Sequence, residues 1–282
     1  MSMTLTPPPA AGGPATDPQP GPPQPRSSAR VVAILAIVLG AVLLLGGIAS
    51  TAVTVLRTAG QGQRTLTATA GGIGDLRVDV SAADLTVVYE GDEVRLDVTG
   101  HADDWRLERD GETVSVQTHR AWWGGWGLWD AQDQAVLTLP RALERTELDA
   151  RVSLSASALR ADGRFGAVDL DLSAGSADLG GSARSLDARL SAGRLAFDLD
   201  GVATADLRLS AGEVVGAMTG DAPREVALEA SAGRIDLTLP DETYAVTENV
   251  DAGSVDNRLT VDRTSPNRVS VDVSAGQVTL RS

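Results

Sequence analysis

The 282-residue chain contains no cysteine and no lysine. The first absence excludes disulfides, thiolate chemistry and thiolate-held metals. The second makes arginine the only basic side chain, 24 in all. Histidine is nearly absent too: His101 and His119 are the only two, and neither stands in a metal-binding spacing such as His-Glu-x-x-His. Both are expected to be structural or solvated. No serine sits in Gly-x-Ser-x-Gly, no phosphate-binding loop occurs, and no histidine beyond residue 119 could serve a downstream serine as base. These absences leave no catalytic set, so the chain reads as a non-enzyme without a cofactor.

Formal charge is −14 and unevenly placed. Residues 1–57 hold one acid, Asp17, and three arginines, whereas the remainder carries 37 acids against 21 arginines. Such a surface disfavours nucleic acid and anionic lipid, both polyanions. It also keeps a repetitive protein soluble.

Nine of the 13 prolines fall before residue 26, among few apolar residues, so residues 1–30 are expected to be a disordered Pro-rich tail. Its PPPAAGGP and PQPGPPQP segments could serve a cytoplasmic partner as polyproline ligands. Residues 31–56 then run 26 positions without a charge, bounded by Arg30 and Arg57. A bilayer core needs about 20 apolar residues in a helix, and a cleaved signal's apolar region is shorter. One transmembrane helix is therefore expected. Arginines on its two sides tie; a short disordered tail is the usual cytoplasmic partner of an uncleaved anchor. That places the N-terminus in the cytoplasm and the acidic remainder outside.

Residues 57–72 read as a polar stalk. From 73 to 150, period-two alternation between Gly- and Asp-containing turns predicts antiparallel lead-in strands. Within this region Trp122, Trp123, Trp126 and Trp129 crowd into one Gly-rich stretch. They either cap the open end of a stack or form an exposed aromatic surface for a protein or glycan partner or the membrane interface. Trp105, standing alone, reads as ordinary packing.

From 151 to 282 one phrase recurs: an alternating run, Ser-Ala-Gly, and another alternating run. It is weakened at Leu154-Ser155-Ala156-Ser157. It is clear at Ser173 with Gly175, Ser191 with Gly193, Ser210 with Gly212, Ser231 with Gly233, Asp251 with Gly253 and Ser274 with Gly276. Steps of 18 to 23 residues are the mark of stacked coils that bury their apolar faces against neighbours. One residue before each anchor stand Leu154, Leu172, Leu190, Leu209, Ala230, Val250 and Val273. The columns three before and four after are apolar as well, except Glu248. The column two before is wholly polar, so inward and outward faces alternate as in strands. Two strands per coil predict an all-β, two-sheet β-solenoid of the β-helix or roll type. At its corners the serine or aspartate is expected to bond the turn, the alanine to stack and the glycine to bend. A left-handed hexapeptide helix would need a three-sided pattern, which is not visible. Asp169, Asp187 and Asp206 fall in one outward column and would repel unless offset by Arg189 and Arg208. Calcium is the alternative use for them, but the Gly-Gly-x-Gly-x-Asp loops of calcium-binding rolls are absent.

The strand Ala135-Val-Leu-Thr-Leu-Pro-Arg-Ala-Leu143 and the Leu-x-Leu-Ser-Ala-Gly coils between Val152 and Leu280 resemble the bacterial "putative adhesin" family of β-strand repeat domains. The resemblance covers about residues 66 to 282. It implies an envelope-facing domain, sometimes behind a membrane segment, and supplies no catalytic residues. The tryptophan stretch and the coil of Glu248 depart from the family pattern. The expectation is a membrane-anchored, extracytoplasmic, adhesin-like or envelope interaction module. The alternative is an envelope-sensing or scaffold subunit of a signalling system with a partner on its cytoplasmic tail.

Overall fold

The computed structural model describes residues 62–119 and 133–282. The tail at 1–30, the span at 31–56 and the four clustered tryptophans lie outside them. Among the described residues, no helix is long and apolar enough to cross a membrane.

The described chain is all-β. Its first half comprises β1 (Gly62–Ala68), β2 (Asp75–Ser81), β3 (Ala83–Tyr89), β4 (Val94–Gly100), β5 (Trp105–Asp110), β6 (Thr113–Thr118) and β7 (Asp133–Leu139). The second half comprises β8 (Leu148–Leu190), β9 (Gly193–Asp200), β10 (Thr204–Thr219), β11 (Glu225–Thr238), β12 (Thr243–Val250), β13 (Ser254–Asn257), β14 (Thr260–Val261), β15 (Arg268–Val273) and β16 (Gln277–Arg281). Short 3-10 turns at Ala102–Asp104 and Arg141–Arg145 are the other regular elements.

The anchor columns behave as period-two alternation requires. Leu154, Leu172, Leu190, Leu209, Ala230 and Val273 are each at most 3% exposed, whereas Asp171, Arg189, Arg208, Glu229 and Asp272 face solvent. Strands pair in parallel at equivalent points of the phrase: Leu209 opposite Leu190, Gly212 opposite Gly193, Gly233 opposite Gly212. One buried cluster, almost entirely aliphatic, runs from Ile73 to Leu280.

Three expectations need correction. First, residues 57–72 are not simply a stalk: β1 pairs antiparallel with β4 from Gly62–Gly100 to Ala68–Val94, and Leu66 and Ala68 pack on the core. Its threonines favour a half-buried strand. Second, the lead-in is antiparallel only in part. The pairs β1–β4, β4–β7 and β5–β6 are antiparallel, but β2 and β3 run parallel to β8, to β6 and to β7. The cause is a further copy of the phrase at Val80-Ser81-Ala82-Ala83. Val78, Val80 and Leu85 occupy its three inward positions, all buried, and Ser81 lies opposite Ser155. Alternation alone cannot separate parallel from antiparallel pairing.

Third, strand order departs from sequence order at both ends: β2 and β3 lie between β6/β7 and β8, and after β11 the order changes again. The last coil, β15 and β16, lies directly on β11, and the preceding coil, β12 and β13, lies on the far side of β15 and β16. The inner coil turns Val269, Val271, Val273, Val278 and Leu280 into the core, each at most 3% exposed. The outer coil offers Glu248 and Asn257 at the positions of Val271 and Leu280. An inner place would bury a carboxylate between apolar layers, at a cost of several kcal/mol. The end of the stack leaves it wet.

Candidate functional site

Each corner is made by backbone. Ser191 N–H donates to the Leu172 carbonyl at 2.9 Å and Ala192 N–H to that of Ser173 at 3.0 Å. Ala211 N–H reaches the Ser191 carbonyl, Ser274 N–H that of Ala230, Ala275 N–H that of Ser231, and Asp251 N–H that of Val273. These pairs leave the corner without a free donor. The side chains of Ser155, Ser173, Ser191, Ser210, Ser231, Asp251 and Ser274 accordingly point outward. Their expected bond to the turn does not form; the hydroxyls are surface groups.

The corner glycines have a second role beyond bending. A Cβ on Gly175 would overlap the Ser157 carbonyl, one on Gly193 that of Gly175, one on Gly212 that of Gly193, and one on Gly233 that of Gly212. The series continues to Gly276 and then Gly253, in the spatial order of the coils. Gly212 also has φ +118°, which side-chain-bearing residues rarely adopt.

Sequence reasoning missed Ser157, which occupies the glycine place of the weakened phrase. It is buried, its hydroxyl lies 3.0 Å from the Val80 carbonyl and 3.1 Å from that of Ser155, and it accepts from Ala83 N–H at 3.4 Å. At this corner and the one beside it the left-handed residue is alanine, with φ 54° at Ala156 and 53° at Ala82. The signal in the sequence was the loss of glycine itself.

The pairing of β6 with β2 and of β7 with β3 locates the tryptophan segment's ends. The neighbouring coil passes from β2 to β3 through the single residue Ala82, whereas residues 119–132 separate the ends of β6 and β7 that pair with those strands. Trp122, Trp123, Trp126 and Trp129 belong to this insertion and lie outside the described residues. Both of its ends are held. Ser81 N–H donates to Thr118 Oγ1 at 2.8 Å, and His119 N–H donates to the Asp104 carbonyl at 2.8 Å. Asp133, 3% exposed, accepts from His101 N–H at 2.9 Å, and its Oδ1 lies 3.0 Å from His101 Nδ1. His101 thus serves structure through its side chain, whereas His119 contributes its backbone and its side chain is exposed. Trp105 is buried in edge strand β5, consistent with ordinary packing.

The outward carboxylate column is offset by arginine. Arg189 lies 3.5 Å from Asp169 and 3.1 Å from Asp187, and Arg208 lies 2.5 Å from Asp206 and 4.0 Å from Asp187. Exposed pairs of this kind contribute at most about 1 kcal/mol each. Their clearer effect is to cancel repulsion between coils. Among the described residues, no group of three acidic or histidine side chains is placed to hold a metal ion.

Two tyrosines are perturbed. Burial, reinforced by Asp162 and Glu144, pushes the Tyr89 phenol up to about 12. Burial, with Glu242 and Asp241, does the same for Tyr244, whose hydroxyl donates to the Pro240 carbonyl at 2.8 Å. Burial also raises the Asp84 carboxyl.

No protein-family model and no curated protein matches the chain. Among solved structures it is similar to a putative adhesin of Parabacteroides distasonis at TM-score 0.43 and 8% identity, covering 79% of this chain and 98% of that one. It is similar to a putative cell adhesion protein of Clostridium sporogenes at TM-score 0.35 and 8% identity, over 79% and 99% of the two chains. A putative lipid binding protein of Parabacteroides distasonis aligns at TM-score 0.39 and 14% identity, over 77% and 96%.

Proposed function

We propose that this chain is a membrane-anchored, extracytoplasmic two-sheet β-solenoid that acts by contact rather than catalysis, as an adhesin-like or envelope interaction module. Its contact residues are Trp122, Trp123, Trp126 and Trp129, and its partner is a protein or glycan of the cell envelope. The observation that carries this reading is the insertion between β6 and β7. Where the neighbouring coil passes between its strands through one residue, residues 119–132, with four tryptophans, separate pinned ends. An aliphatic core has no call for such aromatic density, whereas contact surfaces favour tryptophan. The anchor is the uncharged run 31–56, and the net acidity of the remainder steers the choice of partner away from polyanions.

Cross-linking on intact cells tests the contact. The native chain should capture an envelope component that a variant with all four tryptophans changed to alanine does not, while both give the same β-sheet circular dichroism and melting temperature. Loss of fold in the variant would make the segment a cap; equal capture would remove the tryptophans from binding. Protease added to intact cells tests the topology. Removal of the β-domain is expected, and cleavage of the Pro-rich tail alone would invert the orientation.

A further inference from the structure

The outer coil of β12 and β13 ends the stack: one side of each strand pairs with β15 or β16, β14 covers the other side of β12 only at Thr243–Tyr244, and residues 245–250 and 254–257 have no strand beyond them among the described residues. An open parallel edge is a template for another strand. Two inward columns change character only here. The column of Leu170, Leu207, Leu228 and Val271 is buried and apolar, and its outermost member is Glu248, exposed. The column of Leu179, Phe197, Leu237 and Leu280 is likewise buried, and its outermost member is Asn257. These two departures are partners: Asn257 Nδ2 donates to Glu248 Oε1 at 2.8 Å from the opposite leg of the coil.

We infer that the Glu248–Asn257 pair is a stop, which keeps a second copy of this chain from adding its own outer coil to the open end. Without it the end would present Val246, Val250 and Val255 as a continuous apolar strip. Val250 is already 40% exposed. Docking a second coil would strip water from a carboxylate whose one neutral partner cannot compensate its charge. An inward-pointing charge at an edge strand is a known way to blunt it. The occupant excluded is a copy of the same coil. Its strand carries the same alternation of inward and outward positions, so a two-fold, antiparallel pairing of β12 with its copy keeps the apolar faces together.

The absence of cysteine makes the test clean. A two-fold pairing of β12 with itself would bring Thr247, which faces outward near the strand centre, close to its own copy. In the full chain in detergent micelles, Thr247→Cys under mild oxidation is expected to stay monomeric on a non-reducing gel. Adding Glu248→Val and Asn257→Val should raise the disulfide-linked dimer at least about tenfold, with light scattering showing the same doubling of protein mass. Glu248→Val alone, at an exposed site that cannot unfold the stack, should give a smaller rise. Asn249→Val, which adds the same apolar bulk to the outward face, should give none. Equal linkage in the native background, no linkage in folded Glu248→Val, or equal linkage in Asn249→Val would each overturn the stop.

Discussion

The departure from sequence order predicts which residues can be joined covalently. Ala227, Ser270 and Thr247 occupy one outward column, with Ala227 opposite Ser270 and Ser270 opposite Thr247. Neighbouring strands lie about 4.8 Å apart, so Ala227 and Ser270 are one spacing apart while Ala227 and Thr247 are about 9.6 Å apart. A disulfide needs Cα atoms within about 7 Å. The pair Ala227→Cys with Ser270→Cys should therefore oxidise fully, and so should Thr247→Cys with Ser270→Cys. Ala227→Cys with Thr247→Cys should not. The first bond closes a loop of about 43 residues, which by chain entropy adds up to about 4 kcal/mol. For a domain of this size that corresponds to a rise in melting temperature on the order of 10 °C. No native thiol competes, so intact mass and non-reducing gel mobility report the bond directly. Closure between positions 227 and 247, with none between 227 and 270, would restore sequence-order stacking and refute the assignment.

Gly212→Ala should cost at least about 3 kcal/mol in chemical denaturation, because the methyl meets the Gly193 carbonyl at an unfavourable φ. Gly201→Ala, at φ +72° with open space around it, should cost only about 1 kcal/mol; equal losses would remove close coil approach as the reason for the corner glycines. Leu170→Asp places a charge at a position 0% exposed and should lower stability by several kcal/mol, whereas exposed Asp171→Leu should stay within about 0.5 kcal/mol. Similar effects would reverse the inward and outward faces. Both tyrosines are held protonated, with folded values about 12 against an ordinary value of 10.0. Their stabilising contribution is complete below pH 10 and is lost as pH climbs toward 12. Denaturation midpoints should fall over that window, and Tyr244→Phe should flatten the fall; an unchanged slope would place the alkaline loss elsewhere.

What could be read in the sequence was whatever depends on a residue's own face. Leu172, Leu190 and Leu209 are buried, and Asp171, Arg189 and Arg208 are wet, because alternation relative to the anchor decides both. What could not be read was whatever depends on a partner. Alternation is the same in parallel and antiparallel strands, so it predicts antiparallel lead-in strands over β2 and β3 although Val80-Ser81-Ala82-Ala83 carries the coil's own inward positions. The serines invited a side-chain account of the corner. The carbonyl ladder from Leu172 to Ser274 had already taken the donors such a bond requires.

Coil order lies between these cases, and it shows why a repeat is better read by its exceptions. Seven coils with apolar inward columns, anchored at Ser81, Ser155, Ser173, Ser191, Ser210, Ser231 and Ser274, are interchangeable at the level of pattern, so nothing in them ranks one as inner or outer. Glu248 breaks that equivalence, and Asn257 breaks it a second time in the same coil. A coil with two polar inward positions is tolerable only where one side of it is water, which assigns it to an end whatever its place in the chain. The last coil, all apolar inward, then has one vacancy to fill, between β11 and β12, and the chain crosses back through residues 258–267 to reach it. The same argument makes the tryptophan insertion informative. It falls between β6 and β7, which pair with β2 and β3 on the side away from β8, so it too interrupts the pattern toward an end rather than in the middle.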